Sequence, residues 1–96
     1  MKPSEILNSH RHDVRRIVNA HRASNVRVFG SVAEGSDTEN SDIDFLIDTT
    51  IETTLMDIGA IRHELIGLLG VPVDVVTSNA LPEDFRESVI SKAIPV

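Results

Sequence analysis

The chain contains no cysteine, which excludes both a disulfide framework and a thiolate metal site. It shows no basic leader followed by an apolar stretch, and no apolar run approaches the roughly 20 residues that span a bilayer. A cytoplasmic location and no membrane partner are the expectations. Positive charge is scarce as well: 9 lysines and arginines face 15 aspartates and glutamates, a net charge of -6. That balance argues against DNA, RNA or anionic lipid as bulk partners. The most cationic stretch, with Arg11, Arg15, Arg16 and Arg22, reads as the solvated face of a first helix. What remains is 96 residues, 41% of them hydrophobic, which suits one compact domain over residues 1–96.

The periodicities lay out the elements. Leu7, His10, Val14, Ile17 and His21 form one stripe of an amphipathic helix over Ser4–His21, with Ser4 as N-cap. Ala23, Ser24 and Asn25 read as a turn before a short strand, Val26–Phe29, that stops at Gly30. Ser31–Glu34 fits one helical turn ended by Gly35. The polar, turn-forming stretch Gly35–Ser41 reads as an exposed loop into a strand running to about Asp48. A second helix is capped by Thr53 or Thr54 and carries Leu55, Ile58, Ile61, Leu65 and Leu68 on one face, with Gly70 just past its end. Val71–Thr77 forms a third strand. Pro82 opens a last short helix at its first position, and Leu81, Phe85 and Val89 are expected in the core.

The informative feature is Asp42 and Asp44 in the run Ser41-Asp-Ile-Asp-Phe-Leu-Ile47. Along a strand successive side chains alternate faces, so the two carboxylates point the same way, their Cα atoms roughly 6.5 Å apart, while Ile43, Phe45 and Ile47 face the core. Aspartate is a poor strand former. Its repetition in an apolar strand points to a divalent cation held by oxygen ligands. Asp74 repeats the pattern between Val73 and Val75. If the two strands are neighbours, about 4.8 Å apart, three carboxylates converge, and Mg²⁺ together with triphosphate oxygens relieves their repulsion. Gly30 lets backbone approach a phosphate, and the amides and hydroxyl at Ser31 can bond its β- and γ-oxygens. Asp48 reads as a loop or cap residue, and Ser41 as bonding a neighbouring backbone group. His10 and His21 lie on the first helix's apolar stripe as hydrogen-bonded residues, not metal ligands.

Taken together, Val28-Phe-Gly-Ser-Val-Ala-Glu-Gly35, the double-aspartate strand and Val73-Asp-Val-Val76 resemble the minimal nucleotidyltransferases of the polymerase-beta-like superfamily. The resemblance covers nearly the whole chain. It implies an α/β (α+β) fold, a small mixed sheet of three to four strands flanked by helices, and Mg²⁺-dependent transfer of a nucleoside monophosphate from a triphosphate to a hydroxyl. By position, Gly30 and Ser31 match the phosphate-binding turn, Asp42 and Asp44 the metal pair for two ions, and Asp74 the third carboxylate, a second-metal ligand or proton acceptor. The smallest relatives are antitoxins that add AMP from ATP to a tyrosine of a helical HEPN-type toxin. The pattern departs at Val32 and Glu34, where many relatives carry arginine. Arg62 and Lys92 are candidate replacements, and the sequence alone assigns neither. The alternative is a non-catalytic module of the same ancestry that neutralises its partner by docking. Transfer to a small molecule, as in larger antibiotic-modifying relatives, requires a homo-oligomer to complete a pocket.

Overall fold

Ile43, Phe45 and Ile47 are each 0% exposed, as alternation along this stretch demands, and they lie at the heart of one apolar cluster. The computed structural model describes every residue from Met1 to Val96. The alternating run is strand β2 (Ile43–Thr49), which pairs antiparallel with β1 (Ala23–Phe29) and parallel with β3 (Val73–Thr77). A short strand β4 (Ile94–Pro95) adds to the far side of β1, so the mixed sheet has four strands in the order β3-β2-β1-β4. Pro95 is tolerated there because a sheet edge leaves its missing N–H without consequence.

The helices are α1 (Pro3–Asn8), α2 (Arg11–Ala20), α3 (Gly30–Glu34), α4 (Leu55–Leu69) and α5 (Glu83–Lys92). Val14, Ile17 and Val18 of α2, with Ile61, Leu65 and Leu69 of α4, are buried in the same cluster as Val28, Phe45 and Val73. Helix–sheet burial of this kind contributes most of the stability of so short a chain, at about 25 cal/mol per Å² of apolar surface. No helix is long and apolar enough to cross a membrane.

Several boundaries differ from the sequence reading. The first helix is two. Ser9 Oγ donates to the Glu5 carbonyl at 3.3 Å and His10 Nδ1 bonds the Ile6 carbonyl at 2.9 Å, local side-chain bonding that competes with helix continuation. Pro3, and not a cap at Ser4, opens α1, since a proline at the first position gives up an N–H with no intrahelical partner. The residues read as a turn, Ala23–Asn25, belong to β1: Asn25 takes φ 51° and the register shifts between Ser24 and Arg27, a bulge absorbed within the strand. β3 begins at Val73 because Pro72 has no N–H to give, and its carbonyl accepts from Ile43 N at 3.0 Å.

At α4 the cap is Thr54, whose hydroxyl accepts from Asp57 N at 3.1 Å while Asp57 returns a bond to Thr54 N at 2.9 Å. Leu55 is 87% exposed; Leu69 takes the buried place expected of the stripe. Pro82 occupies the cap position before α5 instead of its first turn. No residue of α5 is buried, so of the residues assigned to the core there, Leu81 is buried, Val89 half-buried and Phe85 exposed. The cationic helix face is only partly solvated, because Arg11 and Arg15 donate to the carbonyls of Pro95 and Val96 and hold β4 in place.

The polar loop before β2 is anchored at Asp37, whose side chain is buried and accepts from Ser4 N at 2.9 Å. It caps α1 from a distance. The Ser4 backbone bond holds the Asp37 carboxyl below its ordinary value. A depressed folded-state value means stability that is present above the unfolded carboxylate range and is lost as pH falls through the folded one. Asp37→Asn should therefore lower stability at neutral pH by about 1 kcal/mol, as loss of a charged cap does. In urea melts the gap between variant and parent should close in acid; a gap independent of pH would count against the capping role.

Candidate active site

Register places the chemistry. Phe29 pairs with Asp44 across β1 and β2, and Asp44 pairs with Asp74 across β2 and β3, so the three form one row on a single face of the sheet. That face is opposite the one on which Ile43, Phe45 and Val73 are buried. Asp42 lies one residue before β2 and not within it. Asp44 is half-buried, whereas Asp42 and Asp74 are exposed.

Asp44 is electrostatically strained. Burial pushes its carboxyl above the ordinary value, and the negative charges of Asp74 and then Asp42 push it further in the same direction. None of these three takes part in an ion pair, all of which lie elsewhere. A carboxylate desolvated and crowded by like charge gains from a nearby cation. The set is an open row and not a closed cage, for the three do not gather into a three-ligand cluster. Mg²⁺ suits such a row, because it takes one or two protein carboxylates and fills its remaining positions with water and phosphate oxygens.

Gly30 brings the turn against this row. It has φ +70°, and a Cβ built there would fall 2.5 Å from Asp44 Oδ2. Only glycine accommodates both that dihedral and that contact. Ser31 follows, half-buried, in α3, and Gly35 at φ 75° ends the helix as expected. Ser41 accepts from Thr38 N at 2.9 Å, the local role its sequence position implied. A cleft of about 220 Å³ opens beside the turn, with Gly30, Ala33 and Glu34 on one wall and Ser88, Val89 and Lys92 of α5 on the other. A larger, shallow hollow of about 550 Å³ lies on α5, away from the Gly30 turn, and neither it nor the cleft is lined by Asp42, Asp44 or Asp74. Arg62 points elsewhere: its Nε donates to the Val73 carbonyl at 3.0 Å and ties α4 to β3.

Asp48, read from sequence as a loop or cap residue at the strand's end, lies within β2 and forms a polar clamp further along the same sheet. It pairs with the buried Arg27 and accepts from Ser78 Oγ at 2.8 Å and Asn25 Nδ2 at 2.9 Å. Burial alone would raise its carboxyl, but the bonds from Asn25 and Ser78 and the Arg27 charge outweigh that and hold it low. The available signal was Arg27 itself, a charged residue flanked by valines in a strand, which calls for an acidic partner.

The nucleotidyltransferase domain family matches residues 7–96. A Methanocaldococcus jannaschii protein provisionally named a protein adenylyltransferase is 29% identical over 90 residues, 94% of this chain and 97% of its own. A solved structure of a provisionally named minimal nucleotidyltransferase superposes with TM-score 0.88 and 42% identity, covering 97% of this chain and 95% of that one. A solved toxin–antitoxin complex with AMP-PNP shares the fold, with TM-score 0.74 at 17% identity over 88% of this chain and 69% of that one.

Proposed function

This chain belongs to the nucleotidyltransferase domain family and is a nucleotidyltransferase; from that premise we propose that residues 1–96 act as a single minimal unit moving AMP from ATP to a hydroxyl of a partner protein. The observation that carries this reading is the contact between the Gly30 turn and Asp44, which sets that turn beside the carboxylates. In this scheme the Gly30 backbone and the Ser31 amide and hydroxyl bind the β- and γ-phosphates. Asp42 and Asp44 hold magnesium, and Asp74 either helps hold a second ion or accepts the proton of the attacking hydroxyl. Magnesium, when bound, would neutralise charge on the attacking and leaving oxygens of an in-line displacement at phosphorus. The acceptor oxygen bonds to the α-phosphorus as the bond to the bridging oxygen breaks, and pyrophosphate leaves.

The acceptor comes from another molecule in this reading. The chain contains no tyrosine, so a tyrosyl acceptor must be supplied by a partner. The adenylyltransferase name of the M. jannaschii relative and the toxin–antitoxin assembly that shares the fold support an antitoxin acting on a partner toxin; that the toxin is of the helical HEPN type and the setting cytoplasmic is part of this proposal. Glu34 on the cleft wall favours the second reading, a docking module without transfer, since its charge opposes a triphosphate. The chain is to be incubated with ATP, Mg²⁺ and a candidate toxin, and the toxin then weighed by mass spectrometry. An added AMP is the expected result. A toxin silenced at unchanged mass would leave only docking.

A further inference from the structure

Lys92 occupies the last turn of α5, is exposed, and follows Ser88 by one helical turn, so both look onto the cleft that they line with Gly30 and Glu34. No other lysine or arginine lines that cleft. None of the chain's ion pairs involves Lys92, and Glu34 on the facing wall is likewise without one. A cation and an anion therefore face one space without neutralising each other. On the reading above, a triphosphate bound along the Gly30-Ser31 turn places its outer charges beside this space. Resting on that reading, we propose that Lys92 is the cation that holds the triphosphate, reaching it from α5 across the cleft from Glu34.

The chemistry matches the residue. An ammonium on a flexible stem acts as a point charge toward phosphate oxygens and needs no fixed bidentate geometry, which suits a side chain carried by a helix with no buried residues. The competing role for a lysine in the last turn is to complement the carboxyl end of the helix. That simpler role would act on stability and leave the choice between nucleotides untouched.

The test is calorimetric titration of the full chain with ATP and, separately, with AMP, both in Mg²⁺. Lys92→Gln should weaken ATP binding roughly 10-fold or more, leave AMP binding and the melting temperature unchanged, and lessen the dependence of ATP affinity on salt. Lys92→Arg should retain ATP affinity. Adding Glu34→Arg to Lys92→Gln should recover part of the loss, because it returns a cation to the same cleft from the other wall. ATP affinity equal to wild type in Lys92→Gln would overturn the proposal while leaving nucleotide transfer standing. Equal losses for ATP and AMP, with a lower melting temperature, would overturn it in favour of the helix-end role. A wild-type chain that binds no ATP would overturn the transfer reading itself, and Lys92 with it.

Discussion

Asp44→Asn should abolish transfer and stabilise the folded chain at the same time. The loss follows from the proposed metal site: ion binding supplies several kcal/mol of charge stabilisation in the transition state, and each 1.36 kcal/mol is tenfold in rate, so activity should fall by roughly 10³-fold or more. The double variant Asp42→Asn/Asp44→Asn should be silent and folded. The stability gain follows from the opposite sign of the same electrostatics. Burial and the charges of Asp74 and Asp42 raise the Asp44 carboxyl, so the folded chain binds that proton more tightly than the unfolded chain does. Ionised Asp44 therefore destabilises the fold at neutral pH. That penalty fades as pH falls through the raised folded-state value toward the unfolded one. Asparagine keeps the shape without the charge, so urea melts should show the variant more stable at neutral pH and the advantage shrinking in acid. An Asp44→Asn chain that transfers AMP at the parental rate, or is less stable at neutral pH, would refute this account of the site.

Gly30→Ala should damage both folding and chemistry. The added methyl meets Asp44 Oδ2 at 2.5 Å, and the backbone there has φ +70°. The left-handed conformation alone costs an L-residue about 1–2 kcal/mol, and Asp44 must shift besides. Each kcal/mol lowers the melting temperature by about 4–8 °C in a domain of this size. A displacement of about 1 Å in a catalytic group can reduce rate by roughly 10²-fold, so transfer should fall further than stability explains. Gly35→Ala is the matched control: φ is +75° but nothing lies within 4 Å of its Cβ. It should lose stability from the backbone alone and keep the transfer rate. If the two variants behave alike in the transfer assay, contact between Gly30 and Asp44 has no part in the site.

Strands β1 to β3 and their order along the chain were legible, β2 most plainly because the alternation of Ile43, Phe45 and Ile47 with Asp44 fits a strand; β4, two residues held by pairing with β1, carries no such signal and was not legible. The apposition of Asp44 with Asp74 was legible as a condition, and the parallel register of β2 and β3 supplies it. Other features depend on contacts remote in sequence. Asp37 looked like one more polar loop residue because its partner, Ser4 N, lies 33 positions away. Asp48 looked like a strand terminus until Arg27 and Ser78 are placed around it. Asn25 carried a turn signal that the fold uses for a bulge, since a residue tolerant of positive φ serves either purpose. The exposure of α5 was illegible for another reason: Leu81, Phe85 and Val89 have the i, i+4 spacing of a core stripe, and local pattern does not say whether anything lies opposite.

The strand order β3-β2-β1-β4 leaves β3 at the rim of the sheet, where Arg62 occupies the Val73 carbonyl and no further strand pairs with the rest. Such rims invite fibril-like stacking unless a charge interrupts them. Asp74, exposed near the start of a rim otherwise made of valines and threonine, is that interruption. One carboxylate thus serves as gatekeeper against aggregation as well as in the chemistry proposed for it.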